Sequence, residues 1–246
     1  MYSIEQLISG EELRRCEPKT GLMAELWQTG RAGAQWIKEE TSVTDPIKPL
    51  VIDREQLREL IQEKYAEVAL RPEEGFHFHT GEPLARMLGY DLDEISRLPV
   101  ATVESFAGTG NPFLMGRLKS GESVLDLGCG AGMDTLLAAG QVGPEGRVVA
   151  VDMTEAMLAK TAAGAAELGL TTVEVKRGFA EQLPVDDESV DVVISNGVIN
   201  LCPDKVAVLN EIRRVLRPGG RFQIGDIIVQ KPLSESDRMN PDLWAG

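Results

Sequence analysis

From residue 123 onward the chain repeats one unit: a short apolar run rich in β-branched residues, a glycine- or aspartate-bearing turn, then a stretch with helical spacing. Ser123-Val124-Leu125-Asp126-Leu127 ends in glycines and leads into a helical stretch through Leu136, Leu137 and Ala138. Arg147 to Asp152 repeats the strand signal, Thr154 to Leu168 the helix, Thr172 to Val175 a third strand and Val190 to Ser195 a fourth. Pro203 at a first helical turn opens a helix with Val206, Leu209, Ile212 and Leu216 inward. The turn Arg217-Pro218-Gly219-Gly220 then leads to a fifth strand, Arg221 to Val229. Strands that are apolar on both faces must be covered on both faces, and strands joined through helices run parallel. The pattern predicts an α/β fold with a doubly wound, mainly parallel sheet and helices on both faces.

The region before this repeat is less regular. Ser3-Ile4-Glu5-Gln6 has the form of a capping box and predicts the start of a short helix. Residues 10 to 50 show no clear period. From Asp53 the spacing of Leu57, Leu60, Ile61, Tyr65 and Val68 predicts a helix that Arg71-Pro72 ends. Gly75 to Gly81 holds both histidines of the chain, His77 and His79, and predicts an ordered loop or short strand. The chain therefore divides into an N-terminal helical extension of unknown role (1–52), a helical lid and substrate-side segment (53–116) and an α/β core (117–246).

At 246 residues there is enough chain to bury a proper core. The formal net charge of −14 opposes binding to nucleic acid, which requires a basic surface to displace counterions. No apolar run reaches the roughly 18 residues that span a bilayer, and nothing near the N-terminus has the form of a secretion signal, so the expected location is cytoplasmic and no membrane partner is expected. Cys16, Cys129 and Cys202 are too few and too scattered for a disulfide framework or a four-ligand zinc site, and no metal is expected.

The loop Asp126-Leu127-Gly128-Cys129-Gly130-Ala131-Gly132 joins a strand to a helix. Without Cβ atoms at Gly128, Gly130 and Gly132 a ligand can approach the backbone closely, and an adenosine-bearing cofactor is expected there, although tight turns also use glycine without a ligand. The dinucleotide fingerprint needs its third glycine where Met133 stands, so the phosphate cradle is poorly matched. Asp126 would repel a pyrophosphate and could accept a bond from an ammonium group. S-adenosylmethionine carries an ammonium and no phosphate. Asp152 ends the second strand, where a carboxylate can accept both ribose hydroxyls; a charge at the N-terminus of the following helix is the alternative. Met153 would pack on adenine or simply fill core.

Val124 to Gly132, Val149 to Asp152 and Leu216-Arg217-Pro218-Gly219-Gly220 together resemble three motifs of the Rossmann-like class I S-adenosylmethionine-dependent methyltransferases. More narrowly, residues 57–246 resemble the arsenite methyltransferase family through Gly110-Asn111-Pro112, Val151-Asp152-Met153-Thr154, and Ile194 to Leu201 followed by Pro203-Asp204-Lys205. The resemblance implies S-adenosylmethionine as cofactor, Phe179 and Ala180 against adenine, Asn196 near its methionine part and Gly110-Asn111 lining the same cleft. Asn196 also suits an ordinary turn at a strand end.

The chain departs from that family where thiols would hold trivalent arsenic. Thr109 stands before Gly110-Asn111-Pro112, Gly197 follows Ser195-Asn196, and Phe76-His77-Phe78-His79 occupies the segment that often carries paired cysteines. The family would also continue past Trp244-Ala245-Gly246 with the last strands of the sheet. The core is thus expected to lack those strands, its edge covered by a second copy, a partner or the first 50 residues unless the chain is shortened.

These departures favour methyl transfer to a small-molecule nucleophile, with arsenite as the second reading and a cofactor-binding protein without turnover as the third. In-line displacement at a sulfonium needs alignment of the nucleophile and removal of its proton. His77 and His79 are the candidate bases, two apart in an extended segment and pointing one way. Packing beside Phe76 and Phe78 would serve them equally well.

Overall fold

A computed structural model describes residues 54–72 and 79–228. The expected helix at Ser3, the stretch from 10 to 50, His77 and the far end of the fifth strand at Val229 lie outside these residues.

Five strands, β1 (Ser123–Leu127), β2 (Arg147–Asp152), β3 (Val173–Arg177), β4 (Val190–Asn196) and β5 (Leu216–Gly225), form one sheet in the order β3-β2-β1-β4-β5. Every neighbouring pair is parallel. Seven helices accompany them among the described residues: α1 (Arg54–Leu70), α2 (Gly81–Met87), α3 (Leu92–Ile95), α4 (Val100–Glu104), α5 (Met133–Val142), α6 (Glu155–Glu167) and α7 (Lys205–Val215). None is long and apolar enough to cross a membrane.

The two-residue alternation of the strands explains why they read as unbroken apolar runs. Leu125, Leu127, Val149, Val151 and Val193 point to one face and pack on Val208, Ile212 and Val215 of α7. Their neighbours Val124, Val148, Val192 and Ile194 point to the other face, onto Ala138, Ala139 and Val142 of α5. Both faces are buried, as a doubly wound sheet requires. A satellite cluster joins the segment before β1 to this core, with Ala85, Tyr90, Ile95, Val103 and Phe106 packed on Met133 and Leu137 of α5.

The last helix and the fifth strand depart most from the sequence pattern. The last helix starts at Lys205 and not at Pro203, capped by Asp204, whose Oδ1 accepts from the Ala207 N–H at 3.0 Å. Its buried stripe is Val208, Ile212 and Val215, whereas Val206 is 52% exposed and Leu209 only partly buried. Val206 lies two residues before Val208, about 200° around the helix, and so faces away from the sheet. The fifth strand begins at Leu216, which pairs with Val190, and stops at Gly225. Arg217-Pro218-Gly219-Gly220 therefore lies within β5, where the register to β4 shifts between Val190 and Val192. Such an irregularity accommodates a proline that cannot donate to the ladder and a Gly219 at φ 83°.

The chain leaves β1 toward β2 and β3 on one side and returns to β4 and β5 on the other. Where the order reverses, the loops after β1 and β4 diverge and leave a crevice at the carboxyl ends of the strands.

Candidate functional site

The crevice is a cleft of about 1040 Å³, open solvent included. The loop after β1 forms its floor, and its three glycines serve different ends, all at positive φ. A Cβ on Gly128 would meet Val198 Cγ2 at 2.3 Å, and one on Gly132 would meet Thr161 Oγ1 at 2.8 Å, so these two let α6 and the loop after β4 approach the backbone. Beside Gly130 nothing lies within 4 Å of the Cβ position. Gly130, at φ 52°, is the glycine whose missing side chain leaves open space. Asp152 at the end of β2 holds this loop: its Oδ2 accepts from Gly130 N–H at 2.9 Å and its Oδ1 from Thr154 N–H at 2.8 Å.

Three aspartates line the cleft, Asp126, Asp134 and Asp152. Their partners are hydroxyl, amide and backbone N–H groups. Thr135 Oγ1 donates to Asp126 at 2.5 Å, and Tyr90 Oη and Asn196 Nδ2 donate to the two oxygens of Asp134 at 2.7 and 3.0 Å. Burial pushes all three carboxyls above the ordinary carboxylate range, and at Asp126 the neighbouring Asp134 adds to the rise. A cationic group placed between them would reverse that shift by favouring the charged forms.

Asn196, at the end of β4, is almost wholly committed to the protein. Its Oδ1 accepts from the N–H groups of Thr109 and Gly110 at 2.8 and 2.9 Å, and its Nδ2 donates to Gly110 O at 2.8 Å as well as to Asp134. It thereby straps the 108–110 segment across the carboxyl end of β4. The turn reading and the cofactor reading of this residue both undervalue that role.

On the opposite side α1 contributes Arg58, Ile61 and Tyr65 to the lining. Gln62 Nε2 donates to Met153 O at 3.1 Å, and the Arg58 guanidinium carbon sits 4.8 Å from the centroid of the Phe179 ring. Burial, then Asp152 and Asp226, push the Tyr65 phenol up to about 12.

Of the residues singled out in the sequence, Asp126, Gly128, Gly130, Asp152, Met153, Phe179, Ala180 and Asn196 meet in this one cleft. Gly132 lies beneath it as a packing glycine. Gly110 and Asn111 are not among the lining residues, and Gly108 takes that place. A Cβ on Gly110 would lie 2.9 Å from Gly225 Cα, so this glycine lets the strap cross β5, while Asn111 caps the short turn Pro112–Met115 by accepting from Phe113 N–H at 3.0 Å. His79 is exposed and is not a lining residue. Arg58, Tyr65 and Asp134 line the cleft but are not visible in the sequence as site residues: each is an ordinary helix residue until folding sets it in the cleft.

Thr109 and Gly197, the two positions where the resembling family places thiols, are neighbours. A Cβ on Gly197 would meet Thr109 Cγ2 at 3.0 Å and Oγ1 at 3.1 Å. Cys129 and Cys202 do line the cleft, but burial raises both thiols, Cys202 to about 12. Among the described residues no group of three His, Cys, Asp or Glu side chains is placed to hold a metal ion.

A parallel sheet with a glycine loop at its switch point, an acidic residue closing β2 and carboxylates in place of phosphate-binding groups defines a nucleoside-cofactor domain of the Rossmann-like methyltransferase class. The chain belongs to the methyltransferase-domain family, whose model matches residues 118–246. It is 38% identical to the arsenite methyltransferase of Halobacterium salinarum over 223 residues, 84% of this chain and 57% of that protein. It is 44% identical to the nocamycin O-methyltransferase of Saccharothrix syringae over 104 residues, 42% of this chain and 37% of that one. Among solved structures, an arsenic(III) S-adenosylmethionine methyltransferase from Chlamydomonas reinhardtii superposes with a TM-score of 0.57 at 39% identity, covering 61% of this chain and 52% of that one. The chain thus spans little more than half the length of the haloarchaeal and algal proteins.

The cofactor of this class is S-adenosylmethionine, and the residues present fit it. The open side of Gly130 admits a ligand against the backbone. Asp152, a carboxylate that lines the cleft at the end of β2, offers acceptors to a diol. Asp126 and Asp134 offer negative charge to a cation and none of the N–H cradle a pyrophosphate needs.

Proposed function

We propose that this chain transfers the methyl group of S-adenosylmethionine to a nucleophilic atom of a small organic molecule. The cofactor would supply a methyl group already activated on a sulfonium, so the protein's share is alignment and, where the acceptor is protonated, a base. The observation that carries the reading is the cleft at the switch point, where the open face of Gly130, the carboxylate of Asp152 and the buried Asp126–Asp134 pair converge. Division of the chain into an extension, a lid and substrate-side segment (53–116) and a cofactor core accords with α1 roofing that cleft and Gly108 lining it. A cytoplasmic location, and a second copy or partner against β5, the edge strand among the described residues, belong to the same reading.

Calorimetry with S-adenosylhomocysteine and a homocysteine-release screen of thiols, phenols, amines and activated carbon acids test it. Micromolar binding with turnover of one acceptor class is expected; no binding, or equal binding of NAD, overturns it. Binding without any acceptor would favour the non-catalytic reading. On the acceptor side we propose His77 or His79 as the base, since the chain has only these two histidines and both fall in the substrate-side segment. Replacing the active one by Asn should lower turnover about 100-fold or more with cofactor affinity unchanged. Indifference to both substitutions reduces that segment to packing.

Arsenite is the second reading, favoured by identity to an arsenite methyltransferase over 84% of this chain. Against it stand Thr109 packed on Gly197 and two thiols held protonated by burial. Purified protein should methylate arsenite poorly; a robust yield lost on Cys202→Ser restores this reading.

A further inference from the structure

The pair between Arg58 of α1 and Glu181, just beyond β3, is half made. Arg58 Nη2 and Glu181 Oε2 stand 3.3 Å apart, with side chains 30% and 11% exposed. The other arm of each group, Arg58 Nε and Glu181 Oε1, is buried without a hydrogen-bond partner among the described residues. Guanidinium and carboxylate both carry two parallel bonding arms, and a buried pair that uses one arm forgoes a charge-assisted bond on each side. A side-on arrangement of the guanidinium, with Nε facing Oε1, would satisfy both. The same guanidinium lies over the ring of Phe179, and Arg58, Phe179 and Glu181 all line the cleft.

The setting gives this pair leverage over the roof of the site. The C-terminal part of α1 is anchored by apolar packing, Val68 and Ala69 against Ala131 and Met157. At its other end the exposed Arg54–Asp204 contact at 3.4 Å contributes little. In the N-terminal half of α1, beside the buried Leu57 and Ile61, Arg58 makes an ionic contact to the loop after β3.

We infer that Arg58 is a cofactor-retaining residue, a clasp that holds α1 over the Phe179 end of the occupied cleft by completing a two-armed pair with Glu181. This rests on the cofactor reading of the cleft. Filling the cleft beneath α1 excludes water from the pair and strengthens it, so ligand residence and the closure of α1 become one event.

The test is the dissociation rate of S-adenosylhomocysteine from the full chain, with hydrogen exchange over residues 54–70 as the second readout. Arg58→Ala should raise the dissociation rate about 10-fold or more, the loss of one charge-assisted pair, and leave the association rate nearly unchanged. Arg58→Lys keeps the charge without the two-armed plane and should recover only a minor part. The exchange R58E/E181R should restore slow release, which lost packing would not. Ligand should slow exchange of α1 in the wild type and fail to do so in Arg58→Ala. Glu181→Gln, which keeps the shape of the carboxylate, gives the same comparison should Arg58→Ala not fold. Wild-type binding with unaltered release and unaltered α1 protection in these variants overturns the clasp alone. Absence of binding by the wild type overturns the cofactor reading and the clasp together.

Discussion

Asp152→Asn isolates the carboxylate at the end of β2 with the smallest change of shape. In the native chain one oxygen accepts Gly130 N–H at 2.9 Å and the other Thr154 N–H at 2.8 Å, with the Thr154 side chain and the Met153 N–H as further donors, and a bound ribose diol would share this carboxylate with them. Asparagine keeps one acceptor and turns an N–H2 group toward the other backbone donor. One buried N–H then loses its partner, which should lower stability by about 1–3 kcal/mol. On the ligand side the diol would lose the charge on both acceptors and one acceptor outright. With charge-assisted bonds worth about 1.5–3 kcal/mol each and neutral ones about 1, the net loss is about 3 kcal/mol, close to 100-fold in affinity. Calorimetric titration with S-adenosylhomocysteine measures the affinity, and thermal unfolding without ligand measures the stability. If affinity stays within about threefold of the wild type while the melting temperature falls, Asp152 is a loop-holding residue only, and the assignment of the ribose to it is refuted.

Three further outcomes follow from the site. Burial raises the folded-state pKa values of Asp126, Asp134 and Asp152, so the native state binds protons more tightly than the unfolded chain; their contribution to stability is present at acid pH and is lost as pH rises from the ordinary carboxylate range toward neutrality. The ion-paired Glu122 and Glu211 have the opposite sign, so Asp126→Asn should flatten the alkaline-side loss in a melting series against pH and leave the acid-side loss intact. Unchanged slopes on both sides would show that Asp126 does not carry the effect. Asn196→Ala removes the acceptor of two backbone N–H groups and a donor to Asp134 and should cost about 3 kcal/mol or more in chemical denaturation, with Ser105 to Asn111 gaining hydrogen exchange first; a cost below about 1 kcal/mol would dissolve the strap. Gly132→Ala, at φ 92° with its Cβ position 3.1 Å from Thr161 Cα, should destabilise by about 2 kcal/mol or more, whereas Gly130→Ala should weaken cofactor binding more than stability. Equal effects of the two on both readouts would remove the distinction between packing and ligand-facing glycines.

Much of the architecture was legible because it depends on neighbours in the chain. The apolar runs at Ser123–Leu127 and Arg147–Asp152 coincide with β1 and β2, and the fold class follows from their alternation with helical spacing. The glycine loop and Asp152 were legible too, since a strand delivering glycines to a helix and an acidic residue closing the next strand are local patterns. The edges of the last helix and of β5 differ from the sequence pattern for a physical reason. Which face of a helix is inward depends on where the sheet lies, and whether Pro218 interrupts a strand depends on the partner strand beside it.

The sequence by itself determined the order of strands and helices, the cofactor class and the absence of the expected thiols at Thr109 and Gly197, because each of these is carried by residue type at a given place in the chain. Only the tertiary structure decided that Thr109 and Gly197 touch, that Asn196 straps the segment before Pro112, that Gly110 packs on Gly225 and leaves the cleft to Gly108, and that Asp134 stands beside Asp126. Arg58 and Glu181 are 123 residues apart, by subtraction of their numbers, and meet over Phe179 only once α1 lies across the loops after β2 and β3. Contacts of that kind are set by sheet order and helix packing, which sum small apolar contributions from the whole core, and no local pattern of residues encodes them.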